Sequence, residues 1–86
     1  MKLRYHKSFQ KQVLKLQEAQ SKRLKEALRL FQNEPYSEHL YNHPLTGVWK
    51  GYRSISFGGD WRVLYKPIGK DVALLVAVGI HSQLYK

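Results

Sequence analysis

The stretch that decides the fold is VWKGYRSISFGGDWRVLYKPIGKDVALLVAV, residues 48–78. Polar and apolar residues alternate over 48–57 and again over 60–66, which is the pattern of β-strands with one buried face. Gly58-Gly59 between them is a hairpin signal, and a Pro-Ile-Gly-Lys turn follows the second strand. Residues 72–78 are apolar without alternation, as in an interior strand covered on both faces. The stretch therefore predicts three strands in an antiparallel meander.

The same alternation assigns side chains to the two faces of this sheet. The apolar face carries Trp49, Ile55, Phe57, Trp61, Val63 and Tyr65. The other face carries Lys50, Tyr52, Ser54, Ser56, Asp60, Arg62 and Leu64. We expect helices to cover the first face and function to lie on the second.

The N-terminal part of the chain predicts a short strand and two helices. Residues 2–6 have the pattern of a strand, and apolar residues recur at helical spacing from 8 to 33. The polar segment 17–22 interrupts the helical pattern, with Ser8 and Ser21 as the predicted N-caps. A polar loop over 34–47 follows. The prediction is an α+β fold, with a helical hairpin packed on a small antiparallel sheet.

Length and composition limit the class of protein. With 86 residues, the chain forms one domain, residues 1–86, and the absence of cysteine excludes a disulfide framework and a thiol nucleophile. No apolar run reaches the roughly 20 residues that span a bilayer. Since no apolar stretch follows the charged N-terminus as in a secretory signal, we expect a cytoplasmic protein without a membrane partner.

The charge indicates a polyanionic partner. Fifteen Lys and Arg stand against six Asp and Glu, for a net charge of +9. The basic residues crowd into residues 1–30, are missing from 31–47, and return among aromatics in the strands. Nucleic acid is the leading candidate, although an acidic protein or an anionic membrane surface would suit the same charge.

The polar face predicts chemistry on a phosphodiester. His43 precedes the first strand of the meander and His81 follows the last, so two imidazoles can reach one face as proton carriers. We expect RNA to contact Lys50, Tyr52, Arg53 and Lys66, with tyrosines stacking on unpaired bases. Carboxylates are too few to hold Mg²⁺, and the histidines lack the spacing of a zinc site, so we expect neither metal nor cofactor. Cleavage without a metal commonly uses the ribose 2′-OH, which favours RNA over DNA.

The runs HPLTGVWKGYR, DWRVLYK and GIHSQLY, in this order, resemble the YafQ-like branch of the RelE/ParE toxin superfamily. The resemblance covers about half of the chain, from His43 to Tyr85. It implies a fold like that of the microbial ribonucleases and a bacterial type II toxin that enters the ribosomal A site and cuts mRNA. It also implies an acidic antitoxin that neutralises the toxin, and contact with operator DNA only through the toxin–antitoxin complex.

The resemblance also implies roles for particular residues. Catalytic positions of the branch fall on His43, Asp60, His81 and Tyr85, and Arg62 matches a catalytic arginine of RelE. The sequence departs from the branch at two places: Ser56 stands where the branch has a histidine, and Ser54 where it has an acidic residue. A serine cannot carry protons as an imidazole does at neutral pH. Two alternatives therefore stay open: a ParE-like gyrase inhibitor without nuclease chemistry, and a decayed toxin that only binds its antitoxin.

Overall fold

The computed structural model describes residues 1–85 of the chain. Its elements in chain order are β1 (Lys2–Tyr5), α1 (Lys7–Val13), α2 (Glu18–Asn33), a 3₁₀ turn (Glu38–Leu40), β2 (His43–Pro44), a second 3₁₀ turn (Gly47–Trp49), β3 (Arg53–Ser56), β4 (Trp61–Ile68), β5 (Val72–Ile80) and α3 (His81–Leu84). Within this described part, no helix combines the length and the apolar character needed to cross a membrane.

The strands form one mixed sheet in the order β1-β5-β4-β3-β2. The pairs from β2 to β5 are antiparallel, as the meander predicts, whereas β1 runs parallel to β5. A parallel pair needs a long crossover, and both long helices lie in the connection. The α+β class and the short strand predicted at 2–6 are confirmed, the latter as β1. The sheet has one strand more than predicted, because β2 lies within the predicted loop 34–47, and the pairing of β1 with β5 is parallel rather than antiparallel.

The long helices cover one face of the sheet, which we call the helix-side face. Phe31 of α2 is fully buried, and its ring lies 4.8 Å from that of Tyr65 on β4. Phe9 and Leu24 join the same core from α1 and α2. Full burial of such a side chain stabilises the fold by about 1.5–3 kcal/mol. This packing makes the sheet a rigid base for residues on its opposite face.

The predicted helix starts at Ser8 and Ser21 are wrong. His6 is the N-cap of α1, because its Nδ1 accepts a hydrogen bond from the amide of Ser8. The second helix begins at Glu18, so Ser21 lies inside it. Ser8 instead uses its hydroxyl to bind the sheet, a long-range contact that local capping patterns do not reveal.

The first strand of the predicted meander is also shorter than expected. Trp49 lies in a 3₁₀ turn, and β3 begins only at Arg53. Gly47 and Gly51 have φ values of 65° and 93°, a left-handed region that glycine enters without steric cost. The left-handed conformations of Gly47 and Gly51 change the direction of the chain on either side of Trp49, so Trp49 lies outside the strand.

The outer edge of β5 is unpaired beyond the end of β1 and is covered by side chains. A register irregularity opposite Leu64 and Tyr65 leaves Val76 as an extra residue on this strand. Three backbone groups of the edge bind side chains: Val76 O accepts from Ser8 Oγ (2.6 Å), Val78 N donates to Gln12 Oε1 (2.9 Å), and Ile80 N donates to Gln83 Oε1 (3.2 Å). The helices thereby fix the strand that leads directly into α3.

Candidate active site

The second face of the sheet is polar and basic where the chain leaves it uncovered. By alternation and register it carries Lys2, Arg4, Tyr52, Ser54, Ser56, Arg62, Leu64 and Lys66. Ser54 and Leu64 are nevertheless fully buried. The accessible side chains of this face therefore lie at its ends and rims.

Four of the predicted catalytic residues line one cavity of about 360 Å³ at an end of this face. They are His43 of β2, Arg62 of β4, His81 of α3, and Tyr85. Residues 44–46 complete the lining. Antiparallel pairing explains the convergence, because the start of β4 lies beside the end of β5, where α3 begins.

His43 is held in one tautomer by the backbone. Its Nδ1 lies 2.8 Å from the carbonyl oxygen of Tyr41. A carbonyl oxygen has no proton to give, so Nδ1 must carry the hydrogen and donate it. In the neutral ring, Nε2 is then an open proton acceptor. The geometry gives His43 the form that a general base requires.

Arg62 is fixed by one of its terminal nitrogens. Its Nη1 donates to Gly59 O at 2.7 Å, to Trp61 O at 3.0 Å and to Ser56 Oγ at 3.2 Å. These acceptors orient a planar group whose other N–H donors stay in the same plane. A guanidinium held in this way can bind an anion in the cavity with little loss of side-chain entropy.

His81 and Tyr85 approach each other at the C-terminal helix. Their ring centroids lie 4.5 Å apart, and the amide of Tyr85 donates to His81 O at 3.1 Å. Residues four apart share a helix face, so both side chains reach the cavity together. The His81 amide donates to Asp60 O at 2.9 Å, which ties the start of α3 to the β3–β4 turn.

Asp60 does not join the other predicted catalytic residues. It precedes β4, its side chain is exposed, and it is absent from the described lining of the cavity. What it supplies here is the backbone carbonyl that holds His81. The prediction placed Asp60 in the strand beside Arg62, but the tight turn at Gly58 and Gly59 starts the strand one residue later.

The predicted RNA-binding residues divide between the two faces. Lys66 lies over the ring of Tyr52 at 5.9 Å on the second face, and Lys50 is exposed beside β3. Arg53 alternates to the helix-side face, where its guanidinium carbon lies 5.4 Å from the ring centroid of Tyr36. Of the four, Arg53 is therefore placed away from the face that carries the site.

Two residues that contribute to the site were not among the predicted site residues. Asn42 makes three side-chain hydrogen bonds immediately before His43. Trp49 donates from Nε1 to Leu84 O at 3.3 Å and connects the loop after β2 to α3. The bonds of Asn42 to Tyr65 and of Trp49 to Leu84 join residues 23 and 35 positions apart, so local patterns could not reveal them.

Comparison with known proteins identifies the family. The family model of the YafQ toxin, a bacterial toxin of type II toxin–antitoxin systems, matches residues 1–86. The chain belongs to the YafQ family. This membership places it among the toxins of the RelE/ParE superfamily and confirms the resemblance seen in its C-terminal half.

Solved structures agree with this assignment. YafQ from E. coli strain BL21(DE3) has a TM-score of 0.82 at 28% identity, over 98% of this chain and 97% of that one. YafQ in the E. coli DinJ–YafQ toxin–antitoxin complex has a TM-score of 0.79 at 28% identity, over 98% and 96%. A YoeB/ParE toxin from Agrobacterium tumefaciens, at 19% identity and a TM-score of 0.77 over 94% and 99%, shares the fold. No curated protein sequence gives a significant match.

The structure gives a role to one of the two serines at which the sequence departs from the resemblance. Ser56 lies opposite Arg62 across β3 and β4, and its hydroxyl accepts from the guanidinium. Ser54 is fully buried, and its hydroxyl has no hydrogen-bond partner among residues 1–85. Ser56 therefore supports the arginine of this YafQ-family cavity, whereas nothing in the structure explains Ser54.

Metal ligands are not grouped in the described part of this YafQ-family chain. No cluster of three or more His, Cys, Asp or Glu residues that could hold a metal ion occurs among residues 1–85. The polar side chains that line the cavity carry two imidazoles, a guanidinium, a phenol and the hydroxyl of Thr46. Such a set can move protons and stabilise negative charge.

Proposed function

We propose that this toxin is a ribosome-dependent, metal-independent endoribonuclease that cuts mRNA in the ribosomal A site. The observation that carries the proposal is the convergence of His43, Arg62, His81 and Tyr85 on one cavity. Two proton carriers and a fixed cation suit a reaction in which the ribose 2′-OH attacks the adjacent phosphate. The proposal includes inhibition of translation in the cytoplasm as the toxic effect.

His43 is the general base in this proposal. Its Nδ1 is engaged by Tyr41 O, so Nε2 accepts the proton of the 2′-OH as that oxygen attacks phosphorus. Asp60, the other candidate for this step, has an exposed carboxylate outside the cavity lining. The geometry therefore favours His43.

His81 protonates the leaving 5′-oxygen, and Arg62 stabilises the phosphorane. The new bond joins the 2′-oxygen to phosphorus, and the bond from phosphorus to the 5′-oxygen breaks. The product ends are a 2′,3′-cyclic phosphate and a 5′-hydroxyl. Tyr85, whose ring lies against His81, orients that imidazole and offers a surface for a base.

The basic groups provide affinity for the ribosome and mRNA. The net charge of +9 and the cations at the rim of the second face, such as Lys50 and Lys66, support contacts with phosphates. Each phosphate contact releases counterions, so ribosome affinity should fall steeply with salt. An affinity that stays constant from low to physiological salt would contradict this part of the proposal.

An acidic antitoxin is the proposed protein partner. The solved relatives include toxin–antitoxin complexes of YafQ with DinJ. A partner with carboxylates that reach Arg62 or Lys50 would neutralise the cations of the site, and operator DNA would be bound only by the complex. Co-expression with the product of the neighbouring gene should yield a stable complex, and failure to co-purify would contradict the pairing.

The test of function is single-turnover cleavage of mRNA on programmed ribosomes. His81→Ala should lower the rate by about 10²–10⁴-fold, the usual contribution of a general acid. Arg62→Ala should lower it by about 10²–10³-fold, as expected for loss of a charge stabiliser. Neither change should abolish ribosome binding, because many phosphates share that interaction. Ser82→Ala is the matched control, since Ser82 is exposed on α3 and outside the cavity lining.

The product and the wild-type rate decide between the alternatives. A 2′,3′-cyclic phosphate supports attack by the 2′-OH, and a 3′-hydroxyl end contradicts it. Wild-type rates in His81→Ala would remove His81 from the chemistry. A wild-type protein that binds its antitoxin or inhibits gyrase without cutting mRNA would favour the non-catalytic alternatives.

A further inference from the structure

A polar network surrounds Asn42 and includes Arg53 and Tyr65 of the helix-side face. The Asn42 amide nitrogen donates to Pro35 O and to the Tyr65 hydroxyl, both at 2.8 Å. The Asn42 carbonyl oxygen accepts from Arg53 Nε, also at 2.8 Å. One short side chain thus joins the loop after α2, the buried ring of Tyr65 on β4, and β3. The next residue in the chain is His43.

The residue before Asn42 has an uncommon backbone conformation. Tyr41 has a φ of 50° and a ψ of 42°, in the left-handed region that residues with a Cβ rarely adopt. The Tyr41 side chain is 73% exposed, so its packing does not impose this conformation. The carbonyl of Tyr41 itself accepts from His43 Nδ1. On its N-terminal side the turn is held by the Tyr41 amide, which donates to Glu38 O at 3.3 Å, and by the buried side chain of Leu40. On its C-terminal side, toward His43, the hydrogen bonds of Asn42 hold it.

We propose that Asn42 is a positioning residue that sets the tautomer and the orientation of His43. By fixing the turn at Tyr41, it aims the Tyr41 carbonyl at Nδ1 and leaves Nε2 open toward the cavity. The inference rests on the proposed function, in which His43 is the general base. It also gives Arg53 a role as a support of the turn, in place of the RNA contact expected from the sequence.

The chemistry of the network requires asparagine at this position. The network needs a side chain with one methylene that donates two hydrogen bonds and accepts one. Among the amino acids, only asparagine has donors and an acceptor together at that distance from the backbone. An aspartate could accept from Arg53 but could not donate to Pro35 O. Tyr65 anchors the network because its ring is 1% exposed and contacts Phe31 in the core. The core thereby limits the movement of the His43 imidazole through Tyr65 and Asn42.

The first experiment observes the tautomer without reference to activity. Long-range ¹H–¹⁵N spectra of the full chain, at a pH where histidines are neutral, distinguish Nδ1–H from Nε2–H rings. His43 should be the Nδ1–H form. His6 is an internal reference for the opposite form, because its Nδ1 accepts from the Ser8 amide. In Asn42→Ala, the His43 signals should move toward a mixture of tautomers while those of His6 stay unchanged.

The second experiment measures cleavage on programmed ribosomes. Asn42→Ala should lower the maximal single-turnover rate by about 10–100-fold, as expected for a catalytic group displaced by up to 1 Å. The half-saturating ribosome concentration should change little, since no phosphate contact is removed. Asn33→Ala is the matched control, because within residues 1–85 the Asn33 amide bonds only to Arg29 O at the end of α2. Both the rate and the spectrum of that variant should match the wild type.

Tyr65→Phe keeps the test independent of folding defects. It deletes only the hydroxyl that accepts from Asn42, and the ring keeps its volume in the core. It should shift the His43 tautomer in the same direction as Asn42→Ala, by a smaller amount. Unchanged His43 tautomer signals in both variants would overturn the inference. A shifted tautomer in a protein whose wild type does not cut mRNA would leave the positioning intact and refute the proposed function instead.

Discussion

Gly79 provides a test of how closely the end of β5 controls the cavity. It is buried, pairs with Arg62, and alone among the six glycines has no positive φ, so alanine suits its backbone. A Cβ built there would lie 3.0 Å from Gln83 Oε1 and 3.4 Å from Leu84 Cδ2. Gly79→Ala therefore pushes on α3, which carries His81 into the cavity.

The expected effect on stability is small, whereas the effect on cleavage is measurable. Moving Gln83 breaks its bond with the Ile80 amide, which costs about 0.5–1.5 kcal/mol. Replacing glycine by alanine returns about 0.4–1 kcal/mol through the unfolded chain. The free energy of unfolding should therefore change by less than about 1 kcal/mol. Since a misplacement of 1 Å costs about 100-fold in rate, a shift of a few tenths of an ångström should cost about 4–10-fold.

Urea unfolding and single-turnover cleavage on programmed ribosomes measure the two quantities. The double variant Gly79→Ala with Gln83→Ala is the decisive comparison, because truncation of Gln83 removes the 3.0 Å contact. In the Gln83→Ala background, the added methyl should lower the rate much less than in the wild type. Equal losses in both backgrounds, or no loss of rate when Gly79→Ala is made in the wild type, would refute the reasoning that α3 transmits the displacement.

Three further predictions follow from single contacts. Burial raises the pKa of the Tyr65 hydroxyl above its usual 10.0, while its hydrogen bond with Asn42 partly offsets the rise. As the pH rises, the unfolded chain therefore releases this proton before the folded protein does, and the free energy of unfolding should fall above a pH of about 10. Tyr65→Phe should make this fall less steep in urea-unfolding experiments at several pH values. An unchanged dependence of the free energy of unfolding on pH would contradict the prediction. Tyr41→Asn should raise the free energy of unfolding by up to about 1 kcal/mol, since asparagine tolerates the left-handed conformation better. Trp49→Phe removes the bond to Leu84 O and should lower stability by about 0.5–1.5 kcal/mol in thermal melts, whereas an unchanged melting temperature would show that the loop and α3 are not coupled.

The sequence predicted the elements whose signals are local. Alternation over 60–66 located β4, and the apolar run over 72–78 located β5, because a strand buried on one or both faces must show these patterns. The end of α2 at Asn33 also agrees with the Pro35 signal. The parallel pairing of β1 with β5 could not be predicted, because it depends on contacts about 70 residues apart.

The site shows the same division between local and long-range information. The resemblance selected His43, Arg62, His81 and Tyr85, and the structure brings these four to one cavity; their catalytic roles stay predictions. The alternation of side chains along β3 places Arg53 on the same face as Ile55, which is the helix-side face. The prediction that Arg53 binds RNA relied on its charge and did not take this alternation into account. The support that Asn42 gives to the turn before His43 joins three separate segments, which no pattern in one segment encodes.

The side chains that cover the edge of β5 also bear on the tendency of the protein to aggregate in solution. An exposed strand edge can recruit strands from other molecules, and such growth leads to aggregates. Here Gln12 and Gln83 already occupy the amides of Val78 and Ile80, so an intruding strand would first have to displace them. The two glutamines thus oppose self-association through this edge. Because their side chains are uncharged, they do so without changing the positive charge of the surface that is proposed to bind RNA.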